Sequence, residues 1–154
     1  MEKIEEQIKT QFYKAFDDLL TESLSGDNPD WSWLVRLYGE LRQRICMLTP
    51  RRSDIHRELA ENMDIELFEQ MVTNGAFRAQ EMWNLVSYVF DLLKEREAPA
   101  RNANTTETVQ ELYASFSKEG ATIATFVPVF LKTAHQKIDE IEHDKQEFLK
   151  QFKK

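Results

Sequence analysis

The sequence predicts an all-α fold: a bundle of six or seven helices with a long C-terminal helix. Three observations point there. Apolar residues recur at steps of three and four along almost the whole chain, the spacing that lines one side of a helix. Only 4 Gly and 4 Pro occur among 154 residues, too few for the turns of a β-sandwich. The tracts between breaks are rich in Glu, Lys, Leu and Gln, which lose little rotamer freedom in a helix. This length suits one domain, 1–154, burying roughly 70% of the unfolded chain's surface.

Spacing predicts a first amphipathic helix within 1–24, beginning near Lys3, because Ile4, Ile8, Phe12, Phe16, Leu19 and Leu20 fall on one stripe. Ser25-Gly26-Asp27-Asn28-Pro29 breaks it, so 25–30 reads as a linker before a helical core over 31–154. Asp30 is placed to cap a second helix, striped by Trp31, Leu34, Leu37, Tyr38, Leu41, Ile45 and Leu48. Pro50, with no N–H to donate, stops it. Ser53 or Asp54 is expected to cap a short helix carrying Ile55 and Leu59. Asp64 is expected to cap another, with Ile65, Leu67, Phe68, Met71 and Val72, ended by Asn74-Gly75 in left-handed geometry.

A fifth helix over about 79–95 carries Met82, Leu85, Val86, Val89, Phe90, Leu92 and Leu93. So wide an apolar arc belongs near the centre of a bundle. Pro99 ends it, Thr105 or Thr106 is expected to cap a sixth, and Gly120 marks a break. The last helix keeps its stripe from Ile123 through Val127, Phe130, Ala134, Ile138, Ile141 and Phe148 to Phe152. Its 30 or so residues would span roughly 45 Å, with Pro128 kinking it near its start.

Composition narrows the function classes. With 42% hydrophobic and 31% charged residues the chain is globular rather than disordered. The single cysteine, Cys46, cannot make an internal disulfide or a cysteine-based zinc site. No signal-peptide pattern opens the chain and no run of about 18 apolar residues occurs, so no membrane span is expected. A reducing, cytoplasmic compartment is the expectation. The net charge of −7 argues against nucleic acid as a partner of the whole surface.

The charge is uneven, however. Residues 36–57 hold Arg36, Arg42, Arg44, Arg51, Arg52 and Arg57 against only Glu40 and Asp54. Arginine forks suit carboxylate or phosphate recognition, although the same side chains can lie over apolar surface beside Glu40, Glu58 and Glu61. Trp33 falls off its helix's main stripe and is a candidate contact residue. His135, Asp139 and His143 share one helical face at steps of four, a metal-ligand spacing; the neighbouring Lys132, Glu142, Asp144 and Lys145 favour charge pairing instead. Cys46 lies at helical spacing with Ile45 and Leu48, which marks a structural thiol; His56 is the only base one could pair with it, and no third group is positioned to orient it. No Gly-rich phosphate loop, Ser-His-Asp set or paired-carboxylate motif is present, so no catalytic residue, metal or cofactor is expected.

The segments LRQRICMLTPRR, ELAENMDIELFEQMVTNGAF and LVSYVFDLLKEREAPAR occur in that order. Together they resemble the T-complex protein 11 family. That family shows a leucine-rich helix, an LTP or LxP break, an acidic D-x-x-L helix ending in x-x-G-A-hydrophobic, and a helix closing on CAPxRD. Here the last motif reads EAPARN: Glu97 stands in the cysteine's place, while Ala98, Pro99 and Arg101 agree. The tail ATFVPVFLKTAHQKIDEIEHDKQEFLKQF is similar to the family's long helix, and the resemblance covers roughly residues 31–152. Family members are typically much longer, so it is their N-terminal helical portion that is matched. The resemblance implies an intracellular, non-enzymatic helical protein linked to cyclic-AMP/protein kinase A signalling and to sperm function, with no catalytic residues to carry over.

The expected function is a non-enzymatic protein–protein interaction module. Its candidate contact residues are Arg42, Arg44, Arg51, Arg52, Arg57 and Trp33, with the long helix as a second surface for a protein partner or a second copy of the chain. The competing expectation is a nucleic-acid- or anion-binding helical protein that uses the Arg42–Arg57 region.

Overall fold

The computed structural model describes residues 30–117 and 122–152, together with positions 4, 7, 8, 10, 11, 13, 14, 15, 18 and 22. The continuous part contains α1 (Ser32–Leu48), α2 (Ser53–Asn62), α3 (Ile65–Thr73), α4 (Ala79–Arg96), a 3-10 turn (Pro99–Arg101), α5 (Asn102–Phe116) and α6 (Ile123–Phe152). No strand occurs among the described residues, and the fold is all-α with a long C-terminal helix, as the spacing predicts. The described positions before residue 30 are helical; Ile4 and Ile8, from the predicted apolar stripe, are both exposed. Phe12, Phe16, Leu19 and Leu20, residues 25–29 of the linker and the break at Gly120 lie outside the described residues.

α6 is the spine. α1 and α4 pack along it, α2 and α3 pack on α1, and α5 packs on α4 and α6. The apolar stripes meet in one cluster that includes Leu34, Leu41 and Ile45 of α1, Leu59 of α2, Phe68 of α3, Val86, Phe90 and Leu93 of α4, and Phe130, Leu131, Ile138 and Ile141 of α6. Each fully buried Leu, Ile or Phe stabilises the fold by about 1.5–3 kcal/mol through water removal alone. Burial along α6 stops at Ile141: residues 145–152 are exposed throughout, among them Phe148, Leu149 and Phe152. Pro128 is the sixth residue of α6 and lies inside the helix, where its missing N–H removes one helical hydrogen bond.

The helix ends correct several expectations. Asp64 caps α3 as predicted, accepting from the Leu67 amide at 3.1 Å. Gly75, at φ +68°, makes the left-handed stop after α3. Asp30 accepts from the amide and hydroxyl of Ser32, but Trp31 occupies the cap position itself. α2 starts at Ser53 with Arg52 as its cap residue, and Asp54 lies in the first turn. Neither Thr105 nor Thr106 caps α5. The chain turns at Pro99, whose preset φ nucleates a 3-10 turn that leads straight into α5 at Asn102. Thr105 is therefore inside the helix, fully buried.

Candidate functional site

The predicted arginine set does not form one patch, and helix geometry gives the reason. Residues two apart on a helix do not face each other, so Arg42 and Arg44 leave α1 on different sides. Arg42 donates to the carbonyl oxygen of Met63 at 3.2 Å, near the α2–α3 junction. Arg44 turns instead toward α6. Arg51, Arg52 and Arg57 are exposed around the α1–α2 turn. Of these, Arg52 forms a fork on the Asp54 carboxylate at 2.9 and 3.0 Å, holding that carboxyl down at about 2. Arg51 and Arg57 make no ion pair with any described residue. Trp33 is partly buried against the core, with the Arg36 guanidinium 5.5 Å from its ring centroid.

The turn that carries these arginines is tied down at several points. His56 Nε2 donates to the carbonyl oxygens of Cys46 and Thr49 at 2.9 and 2.7 Å. The Lys145 ammonium donates to the Leu48 carbonyl at 2.7 Å. Both groups reach carbonyls at the C-terminal end of α1, where donors are favourable; those of Cys46 and Thr49 also accept the Thr49 and Arg52 amides. His56 thus touches the backbone of Cys46, and no Cys46–His56 nucleophile pair forms.

Arg44 organises the first of two ionic clusters on α6. Its guanidinium donates to Asp139 at 2.7 Å, to Glu142 at 3.3 Å and to His135 Nδ1 at 3.0 Å. Because Nδ1 accepts, the ring proton sits on Nε2, which faces the Leu37 carbonyl at 3.5 Å. Burial first, and then the Arg44 charge, lower the His135 pKa and keep the ring neutral. Tyr13 donates to the second oxygen of Asp139 at 2.8 Å; burial and that carboxylate raise its pKa. The spacing His135, Asp139, His143 therefore serves helix docking: a guanidinium lies against the first two, and His143 is exposed. Among the described residues no group of three His, Cys, Asp or Glu is arranged to hold a metal ion.

Sequence reasoning missed the second cluster. The Glu97 side chain is 0% exposed and pairs at 3.0 Å with Lys137, itself 8% exposed. The Thr105 hydroxyl donates to the Glu97 carboxylate, and Lys137 also reaches Glu140 at 2.6 Å. Arg101 then bridges outward to Glu140 and, in a fork, to Asp144 at 3.0 and 3.1 Å. One signal was available. Glu97, like Asn102, departs from the CAPxRD pattern, and a carboxylate replacing a thiol in a buried position needs a cation from elsewhere. The 3-10 turn at Pro99 and α5 are fixed to α6 through this pair.

Helices packed on one apolar core, with ionic clusters that join the long last helix to its neighbours, define an all-α protein. The chain belongs to the T-complex protein 11 family, whose sequence model matches residues 1–141. The T-complex protein 11 homolog of Homo sapiens is 31% identical over 110 residues, which cover 71% of this chain and 20% of that protein. T-complex protein 11 of Mus musculus is 28% identical over 107 residues, 69% of this chain and 18% of the relative. The Rattus norvegicus homolog is 31% identical over 98 residues, 63% of this chain and 16% of the relative. The chain thus spans a fifth or less of the length of these curated relatives. No solved structure matches it.

Proposed function

We propose that the chain is a non-enzymatic protein–protein interaction module of the cytoplasm, acting in the cyclic-AMP/protein kinase A signalling to which its family resemblance points. The observation that carries this reading is the division within the arginine set. Arg42 and Arg44 serve the fold, whereas Arg51 and Arg57 stand exposed at the α1–α2 turn without an ion pair among the described residues. Guanidinium groups so placed suit carboxylates of an acidic partner segment. The exposed Phe148, Leu149 and Phe152 at the end of α6 add an apolar surface for a partner or a second copy.

The test is capture of partners from a cell extract by the chain and by an Arg51→Glu/Arg57→Glu variant. Both positions are exposed, so the melting temperature is expected to stay within about 2 °C while capture of the specific partners is lost. Equal capture by both proteins removes the turn as the contact surface. The nucleic-acid reading has its own signature, affinity for heparin or DNA that falls steeply with salt; binding of that kind, abolished in the same variant, would replace the protein-partner reading.

A further inference from the structure

A second recess in the molecule has the opposite electrostatic sign from the arginine turn. It is a cleft of about 370 Å³ where α1, α2, α3 and α4 come together. Its floor is aromatic: Tyr38 and Phe68 are stacked at 4.0 Å between centroids, with Tyr88 on the α4 wall. Glu61, Asp64 and Glu81 line it as well, and no Lys, Arg or His does.

Two features make this recess more than a gap between helices. First, the Tyr38 ring is 3% exposed, yet its hydroxyl has no hydrogen-bond partner among the described residues. Tyr38 lines the cleft, so this otherwise enclosed side chain has an unpaired hydroxyl to offer there. Second, the carboxylates keep free acceptor capacity. Asp64 uses one oxygen on the Leu67 amide, and Glu81 uses one on the Arg78 amide. Glu61 is exposed, and none of the three forms an ion pair among the described residues. Arg42, whose charge reaches Tyr38, is committed to the Met63 carbonyl.

We propose that this cleft binds an arginine-bearing segment of a partner protein. The guanidinium would lie beside the half-buried Tyr88 ring and donate to the Tyr38 hydroxyl and to the Glu61, Asp64 and Glu81 carboxylates. The chemistry selects this occupant. A planar cation with five donors can stack on rings and serve several separated acceptors at once, which a compact ammonium cannot. Phosphates and acidic peptides are repelled by three carboxylates. A metal ion is not favoured by a site whose carboxylates are already partly engaged with backbone amides. The volume falls in the range of small-ligand sites, about 300–1,000 Å³, which accommodates a long side chain together with an apolar neighbour against Met71 and Leu85. This site does not depend on the arginine surface proposed above.

The experiment uses the full chain and three fluorescein-labelled hexapeptides of sequence Ala-Leu-X-X-Leu-Ala, with X arginine, its neutral isostere citrulline, or glutamate. Fluorescence anisotropy is expected to give binding of the arginine peptide at least about tenfold tighter than the citrulline peptide, from hydrogen bonds to charged groups, and no binding of the glutamate peptide. The preference is expected to shrink at high salt. Carbon-13 methyl spectra should shift at Met71 and Leu85. Glu61→Gln, at an exposed position, and Tyr38→Phe, which keeps the ring stack, should each weaken the arginine peptide severalfold, while Arg51→Glu/Arg57→Glu leaves it unchanged. The proposal is overturned by equal affinity for the arginine and citrulline peptides, by no binding of either, or by methyl shifts confined to sites outside the cleft. It is also overturned if Glu61→Gln and Tyr38→Phe, both shown to be folded, bind as the parent chain does.

Discussion

The two ionic clusters on α6 use the same kinds of side chain under different solvation. In the first, the Arg44 and Asp139 side chains remain 27% and 20% exposed, and Arg44 spreads its donors over Asp139, Glu142 and His135. In the second, Glu97 is 0% and Lys137 8% exposed. Water can replace a lost partner in the first and has little access to the second. The contrast teaches that the helix is held in two ways: by a hydrated clasp between α1 and α6, and by a dry charge pair that joins the turn before α5 to α6. A desolvated pair is a weak net source of stability, yet it penalises severely any state in which one member is alone. It therefore fixes the position of the turn more than it strengthens the fold.

The largest expected effect comes from breaking the dry pair asymmetrically. Lys137→Met leaves the Glu97 carboxylate with the Thr105 hydroxyl alone, and urea unfolding should show a loss of about 3–5 kcal/mol. Adding Glu97→Leu to that variant should restore stability to within about 1 kcal/mol of the parent or exceed it. A double variant as unstable as the single one would mean that the pair contributes through its geometry and not through the balance of charge.

A smaller loss is expected in the hydrated cluster. Arg44→Ala should cost about 1–2 kcal/mol, because Asp139 and Glu142 are exposed enough to be rehydrated. Arg44→Lys should recover only part of it, since an ammonium cannot reproduce the fork. A cost matching that of Lys137→Met would erase the distinction between the two clusters.

The smallest effect is a pH signature confined to the hydrated cluster. His135 is held neutral in the fold, with its pKa below the ordinary 6.5. The unfolded chain takes up a proton as pH falls through that value while the folded chain does not. The contribution is therefore complete above pH 6.5 and is lost as pH falls below it. His135→Gln should unfold with a flatter pH dependence than the parent between neutral and mildly acid solution. Parallel curves for the two proteins would show that this ring titrates alike in both states.

The helices were legible in the sequence because their apolar steps follow the helical period, and the stripe of α4 in particular is buried where its wide arc places it. Starts were harder. Asp30, Ser53 and Thr105 all have cap chemistry, but Ser32 took the Asp30 carboxylate one residue early, and the 3-10 turn at Pro99 began α5 before Thr105 was reached. For the candidate site, adjacency in sequence revealed the arginines but not their fates. Arg44 meets His135 across 91 positions of chain, and no local pattern encodes that distance. Lys137 was hidden differently. It flanks the α6 stripe, where a lysine reads as solvated, and only a carboxylate arriving from the α4–α5 junction makes it a core residue.

The bonds from His56 and Lys145 to the end of α1 have a bearing on recognition. They brace the backbone corner that carries Arg51 and leads into α2, which carries Arg57, one from that helix and one from the far end of α6. If a partner docks there as proposed, it would meet a stiff mount, and the entropy lost on association would fall mainly on two side chains and hardly on the turn and helix that carry them.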